Sequence, residues 1–244
     1  MHSLYTYTTP VHTCSYLPQR KARLEYELVA KMSPAEYLQR MLDGWRRFGH
    51  LLFHPVCDGC RECRPLRIRV ADFREDRSQR RNRKQNSDVE LRIGHPKLSP
   101  DKLSLYDRYH RYQETAKGWP GHPPKDASQY KQAFVDHPFV VEEWCYYLHS
   151  QLVGVGYVDA VNSDTPETHG HEGLSAIYFF WEPTQRERGL GTWNILSLVD
   201  AARQRGLPYV YLGYYVAGCK SMEYKPRFGP NEIRDDTGQW RPFR

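Results

Sequence analysis

An α+β fold is predicted by three features of this sequence of 244 residues. Residues 140–161 hold two strand-like runs, Val140–His149 and Leu152–Val161, parted by a short turn, which is an antiparallel hairpin. Residues 175–214 run strand, turn, helix, strand, which is a β-α-β unit. Between residues 33 and 117 helical and strand periods succeed one another without an internal repeat, a mixture of the two kinds of element that fits an α+β fold.

Taken in order, Ser33-Pro34-Ala35-Glu36 is a capping box with Pro at the first helical position. Leu38, Met41, Leu42, Trp45 and Phe48 then repeat at three and four, which predicts a helix running to Gly49. Leu51–Phe53 is a short strand, and Leu66, Ile68 and Val70 alternate with Arg67 and Arg69, which predicts a half-buried strand with two arginines on its exposed face. A basic helix follows from Ser78 to about Gln85, and Val89, Leu91 and Ile93 alternate again as a strand. Ser99-Pro100-Asp101 opens a helix with Leu105, Tyr109, Tyr112 and Ala116 on one face, stopped by Gly118. Pro120, Pro123 and Pro124 mark 118–127 as a loop, and a helix near 128–135 precedes the hairpin. After the polar run Asn162–Gly173 come strand Ser175–Trp181, a helix to about Arg205 with Trp193, Leu196, Val199 and Ala202 on one face, and strand Tyr209–Tyr214. We expect two packed lobes, 1–117 and 118–244.

A chain of this length buries a sizeable core without disulfides. Its 39% apolar and 26% charged composition excludes a disordered or fibrous polymer. No apolar run approaches the ~18 residues that span a bilayer, and residues 1–25 lack the apolar core of a signal peptide, so a cytoplasmic protein without membrane contact is expected. Lys and Arg number 35 against 29 Asp and Glu, and residues 64–84 carry the whole excess of +6, with nine basic residues and three acidic ones. Eight of those nine are arginine, whose planar fork matches phosphate oxygens, so the segment fits a nucleic-acid backbone; a solvated helix face is the alternative.

Arg186-Glu187-Arg188-Gly189-Leu190-Gly191 is an Arg-x-x-Gly-x-Gly turn between a strand and a helix start. Successive backbone N–H groups and the helix dipole converge there, a geometry that binds phosphate, although any βα turn may use two glycines for φ > 0. The turn resembles the acyl-donor loop of the N-acetyltransferase-like superfamily. More specific is Tyr209-Val-Tyr-Leu-Gly-Tyr-Tyr-Val-Ala-Gly-Cys-Lys-Ser-Met-Glu-Tyr-Lys-Pro-Arg-Phe. Together with Leu174-Ser-Ala-Ile-Tyr-Phe-Phe, Arg77-Ser-Gln-Arg-Arg, Cys57-x2-Cys60-x2-Cys63-x-Pro65 and Cys14-Ser-Tyr-Leu-Pro, it closely resembles the arginyl-tRNA–protein transferase family, above all its bacterial aspartate/glutamate leucyltransferase branch. The resemblance covers about residues 10–230.

That resemblance implies an N-acetyltransferase-like mixed sheet flanked by helices, with an N-terminal lobe packed on it. It implies transfer of leucine from Leu-tRNA to the α-amino group of proteins beginning with Asp or Glu, which marks them for N-end rule degradation. Arginine is the alternative donor, and coenzyme A-dependent acetylation or non-catalytic RNA binding are the rival functions. Partners are then aminoacyl-tRNA and proteins with acidic N-termini, and the sequence sets no oligomeric state. Aminolysis of an activated ester needs no covalent nucleophile and no cofactor, and an α-ammonium of pKa about 7.7–8.0 needs only a modest base.

Candidate donor-binding residues are Arg77, Arg80, Arg81, Arg186, Gly189 and Gly191. Candidate catalytic residues are Tyr214 and Glu223, with Tyr178, Tyr211 and Tyr224 read equally as core or rim aromatics. For the acceptor, Lys220, Lys225 and Arg227 follow the last strand at spacings suited to one carboxylate pocket, with Arg20 and Tyr16 as further candidates. Cys57, Cys60 and Cys63 with Cys14 make four thiols, a candidate zinc or iron–sulfur ligand set. The paired-cysteine motif of the family's eukaryotic members, implicated in iron–sulfur binding, is Cys14-Ser15-Tyr16-Leu17 here, with Leu17 in place of the second ligand. Cys145 is read as core, and His95, His122, His169 and His171 as exposed.

Overall fold

The computed structural model describes residues 1–121 and 123–244; His122 lies outside the described residues. The chain opens with β1 (His2–Thr8), the short pair β2 (His12–Thr13) and β3 (Lys21–Ala22), then β4 (Leu24–Lys31) and α1 (Pro34–Leu42). Strands β5 (Arg46–Phe48), β6 (Leu51–Pro55) and β7 (Arg64–Arg69) lead to α2 (Arg77–Gln85), β8 (Val89–Gly94), α3 (Pro100–Lys117) and α4 (Ala127–Phe134). The rest is β9 (Glu142–Leu148), β10 (Gln151–Val161), β11 (Gly173–Trp181), α5 (Leu190–Gln204), β12 (Tyr209–Tyr215), β13 (Asn231–Arg234) and β14 (Trp240–Pro242).

Two sheets carry the fold, one in the order β1-β4-β6-β5 and one of eight strands in the order β14-β13-β7-β12-β11-β10-β9-β8. The large sheet takes β7 and β8 from before residue 117 and its other strands from after it, so it runs across that boundary. Strands β9 and β10 form the expected hairpin, turning at His149 and Ser150, both at positive φ. Strands β11 and β12 are parallel and joined through α5. Helix α5 buries Leu190, Ile195, Leu196, Val199 and Ala202 against Leu66, Ile68 and Val210 of the sheet. The opposite face receives α3 and α4, whose Leu105, Tyr106, Tyr109, Tyr130 and Phe134 meet Val155, Tyr157 and Phe180, and α1 packs beside them through Tyr37, Leu38 and Met41. The mixed sheet flanked by helices is the α+β architecture expected, and Cys145 is buried in it.

Three expectations are corrected. Helix α1 stops at Leu42 with Asp43 as its cap, because Gly44 takes φ +100° and turns the chain; Trp45 and Phe48 fit a helical spacing but belong to the turn and to β5. Arg67 is buried although it alternates with Leu66 and Ile68. Its strand lies inside the sheet between β13 and β12, and its guanidinium is pressed between the rings of Tyr209 and Trp240, 3.6 and 4.1 Å from their centroids, while its Nε donates to Glu232. His171 is half-buried, with its Nδ1 2.8 Å from Arg67 Nη1.

Candidate active site

Strands β11 and β12 pair only at their beginnings, through Gly173–Tyr209, Leu174–Val210 and Ser175–Tyr211. Beyond that point they part, so a notch opens at the C-terminal end of two parallel strands, the edge where α/β folds place their ligands. The turn 182–191 follows β11 and the segment 216–230 follows β12, so both candidate loops lie at this edge.

Helix α2 ties the two loops together. Asp76 and Gln79 form its capping box, and Gln79, Asn82, Arg83 and Asn86 fall on one helical face turned to the protein. Asn82 Nδ2 donates to the carbonyls of Arg188 and Gly189 at 2.8 and 3.1 Å, and Asn86 Nδ2 donates to Arg188 O at 2.8 Å. Gln79 Nε2 donates to the carbonyl of Arg227 at 3.0 Å in the other loop, and Arg83 is paired with Glu75 and Asp200. On the opposite face Arg77, Arg80, Arg81 and Lys84 repeat at the same three-and-four spacing and are all exposed. The clamp fixes the turn while the charge stays open to a polyanion.

The two glycines of the turn differ. Gly189 takes φ +62°, and a Cβ there would lie 2.7 Å from Asn82 Nδ2, so the left-handed backbone and the Asn82 clamp together favour glycine. Gly191 is half-buried and a Cβ there would meet nothing within 4 Å, so space remains for a group arriving from outside. Helix α5 starts from Gly189 with no side-chain cap, which leaves N–H donors of its first turn for an anion. Arg186 is exposed beside Glu187, whereas Arg188 folds back onto Asp88.

The acceptor candidates after β12 differ in exposure. Lys220, Glu223 and Arg227 are exposed on two short 3₁₀ turns, while Lys225 is only 9% exposed and its Nζ donates to the carbonyl of Tyr214 at 2.6 Å. Burial, with the charge of Arg46 added, brings the Lys225 ammonium down to about 8. Tyr214 is buried, its hydroxyl donates to the carbonyl of Gly44 at 2.7 Å, and burial holds its pKa far above the ordinary phenol value, so this phenol is a wall rather than a base. Tyr211 likewise donates to the carbonyl of His171 at 2.6 Å, and Tyr178 stacks on His110 with its hydroxyl 2.7 Å from Nε2. Tyr224 is partly exposed.

Arg46 lies within the expected helical run and carries no signal of its own in the sequence, although the Asp43-Gly44 turn dipeptide marks the end of the helix before it. Its residue is 5% exposed and its guanidinium carbon lies 5.3 Å from the centre of the Tyr214 ring. Nη1 donates to the carbonyls of Met41 and Trp45, but Nε and Nη2 are buried without a partner.

Cys14, Cys57, Cys60 and Cys63 lie near one another in the N-terminal part of this region as free thiols. Cys14 Sγ accepts the Leu17 N–H at 3.4 Å, Cys57 Sγ accepts the Arg23 N–H at 3.4 Å, and Cys60 Sγ accepts from the exposed Arg20 at 3.3 Å. Burial, then the neighbouring thiols, pushes Cys63 up to about 12, and the same causes push Tyr16, half-buried beside Leu17, Val216 and Met222, up to about 12. Among the described residues no group of three or more His, Cys, Asp or Glu side chains is placed to hold a metal ion, so this arrangement gives the expected zinc or iron–sulfur centre no support. A cleft of about 530 Å³ is lined by Gly44, His54, Cys57, Cys60, Cys63 and Arg234, among others.

A family model described as "Arginine-tRNA-protein transferase, N terminus" matches residues 12–81, and one described as "Arginine-tRNA-protein transferase, C terminus" matches residues 101–235. The chain is 34% identical over 221 residues to a Helicobacter hepaticus protein named aspartate/glutamate leucyltransferase, covering 90% of this chain and 88% of that one. It is 36% identical over 253 residues to the protein of that name from Stenotrophomonas maltophilia, covering 98% and 93%. Among solved structures it is similar to a GCN5-related glucosamine N-acetyltransferase region of a fungal β-N-acetylglucosaminidase, at a TM-score of 0.42 and 11% identity over 83% of this chain and 22% of that one, which is too remote to bear on the assignment. On the two family models and the near full-length relatives, the chain belongs to the arginine-tRNA-protein transferase family.

Proposed function

We propose that this chain transfers leucine from Leu-tRNA to the α-amino group of proteins that begin with Asp or Glu, in the cytoplasm, and so marks them for N-end rule degradation. The observation that carries this is the near full-length match to relatives named aspartate/glutamate leucyltransferase. The geometry supports it: the basic outer face of α2 suits the acceptor arm of a tRNA, and the uncapped start of α5 beside Gly191 suits the phosphates near its 3′ end.

In the reaction the acceptor amine attacks the ester carbonyl carbon. A C–N bond forms, the C–O bond to the terminal ribose breaks, and the proton lost from the amine ends on the ribose hydroxyl or in solvent. Positioning carries most of the rate, because the ester is already activated. The exposed Glu223, on the loop after β12, is our candidate for taking the proton, and Glu223→Gln tests it. Arginine as donor is the second reading, favoured by the description of both family models.

The deciding experiment supplies Leu-tRNA or Arg-tRNA with peptides beginning Asp, Glu, Asn or Ala and follows amide formation. Leucine on the Asp and Glu peptides alone is the expected result; arginine in its place establishes the second reading, and no transfer from either donor refutes both.

A further inference from the structure

We propose that Arg46 and Lys225, meeting at Tyr214, form the carboxylate-binding pair that selects an acidic first residue in the acceptor, an assignment that rests on the transfer proposed above. The two cations come from distant parts of the chain, Arg46 from the strand β5 of the small sheet and Lys225 from the turn after β12. Both address the same residue, Arg46 over the ring of Tyr214 at 5.3 Å and Lys225 through its carbonyl at 2.6 Å.

Their burial without counter-charge is the observation that asks for a ligand. Among the described residues neither makes an ion pair with a carboxylate, and Arg46 keeps Nε and Nη2 buried and unpartnered. The charges that act most on Lys225 are those of Arg46 and Cys219, and those that act most on Tyr214 are Arg46, Cys63, Tyr16 and Tyr37. A folded chain rarely leaves a buried guanidinium with two open donors, because desolvation is not offset until an acceptor arrives. Nε and one Nη of an arginine are the pair of parallel donors that fits a carboxylate bidentately, and Lys225 adds a third donor with a second charge.

The site also lies where an acceptor would need it. Tyr214 belongs to β12, one of the two strands that part to form the notch, so the pair sits at the wall of the proposed reaction centre. Tyr214 pairs with Pro65 and donates to the carbonyl of Gly44, and both of those residues line the 530 Å³ cleft, so the cleft borders the residue that the two cations share. A neutral first residue would leave both cations desolvated and unpaired, so discrimination should reach roughly 10²-fold or more.

The test uses the full chain and its Arg46→Met, Arg46→Lys and Lys225→Met variants. Two quantities are read: kcat/KM for transfer of leucine to peptides beginning Asp, Glu, Asn or Gln, and calorimetric binding of the Asp and Asn peptides without tRNA. Arg46→Met is expected to lose about 100-fold with Asp and Glu peptides and only a few-fold with Asn and Gln peptides, while Leu-tRNA affinity stays within about twofold. Arg46→Lys keeps the charge without the fork and should fall between; it carries the test if the Met variant does not fold. Retention of the parent's acidic preference in all three variants overturns the proposal, as does equal loss with acidic and neutral peptides. A parent that transfers nothing but binds Asp peptides tightly, with that binding lost in Arg46→Met, refutes the proposed transfer and leaves the carboxylate site standing. A parent that neither transfers nor distinguishes Asp from Asn in binding refutes both.

Discussion

Arg46 and Arg47 are adjacent on β5, both almost fully buried, and they differ in what meets their charge. Arg47 faces inward to the large sheet, where Nε donates to Asp159 at 2.9 Å, Nη2 pairs with the other carboxylate oxygen, and Nη1 donates to the carbonyl of Gly49 at 2.8 Å. The rings of Tyr37 and Phe139 lie at 5.5 and 4.7 Å from its guanidinium. Arg46, on the opposite face of the same three-residue strand, keeps two open donors next to another buried cation. Successive side chains of a strand point to opposite sides, so one short strand both pins the small sheet to the large one and presents a charge to the candidate site. A buried cation with its partner is scaffold; one without is a place for a ligand.

The largest expected effect breaks the paired member. Arg47→Met leaves the Asp159 carboxylate buried and uncompensated, and removal of one partner of such a pair costs about 3–5 kcal/mol. Chemical denaturation should show that loss, and the double variant Arg47→Met/Asp159→Leu should recover much of it. A single variant within about 1 kcal/mol of the parent would mean that Arg47 is no scaffold residue, and the contrast with Arg46 would fail.

Lys225, the second cation of the site that Arg46 leaves open, is expected to respond in the opposite sense. The folded pKa of Lys225, about 8, lies below its ordinary value of 10.5, so the unfolded chain binds the extra proton between those two pH values and stability rises with pH across that window. Below about pH 8 the full cost of the buried charge is present. Lys225→Met should therefore stabilise the protein by up to about 3 kcal/mol at pH 7, and the gain should shrink towards zero above pH 10.5. Denaturant midpoints measured from pH 6 to 10.5 check this; a variant that is destabilised at every pH would make Lys225 structural. A more stable protein that has lost its preference for acidic acceptors would be the signature of a site held ready at the expense of stability.

How much of this was legible in the sequence follows the same division. Capping boxes, alternation and the glycine turn are local, and α2, α3, the β9–β10 hairpin and the β-α-β unit followed from them. Arg67 departs from its expected exposure because alternation identifies a strand without saying that Tyr209 and Trp240, more than a hundred residues away in sequence, cover its second face. Arg46 was hidden for a related reason. A three-residue strand has no period to detect, and Trp45 and Phe48 on either side of it happen to continue the spacing of α1. Lys220, Lys225 and Arg227 could be gathered from their spacing, but only the 3₁₀ turns decide that Lys225 points inward.

Helix α2 repeats the contrast at the surface and supplies the smallest effect on stability. Its inward face is satisfied by the two loops, whereas Arg77, Arg80, Arg81 and Lys84 face solvent. Exposed charges of this kind contribute little to folding, so Arg80→Ala/Arg81→Ala should leave stability within about 0.5 kcal/mol. Every phosphate that the protein no longer neutralises keeps its counterions on binding, so the slope of log affinity for tRNA against log salt should become shallower by about 2. The inward variant Asn82→Ala should do the reverse: the salt slope stays, because no charge is removed, but transfer falls as the carbonyls of Arg188 and Gly189 lose their donor and the turn before α5 loosens. If the double arginine variant leaves the slope unchanged, the basic face of α2 is a solvated surface and the tRNA track must be sought elsewhere on the edge where β11 and β12 part.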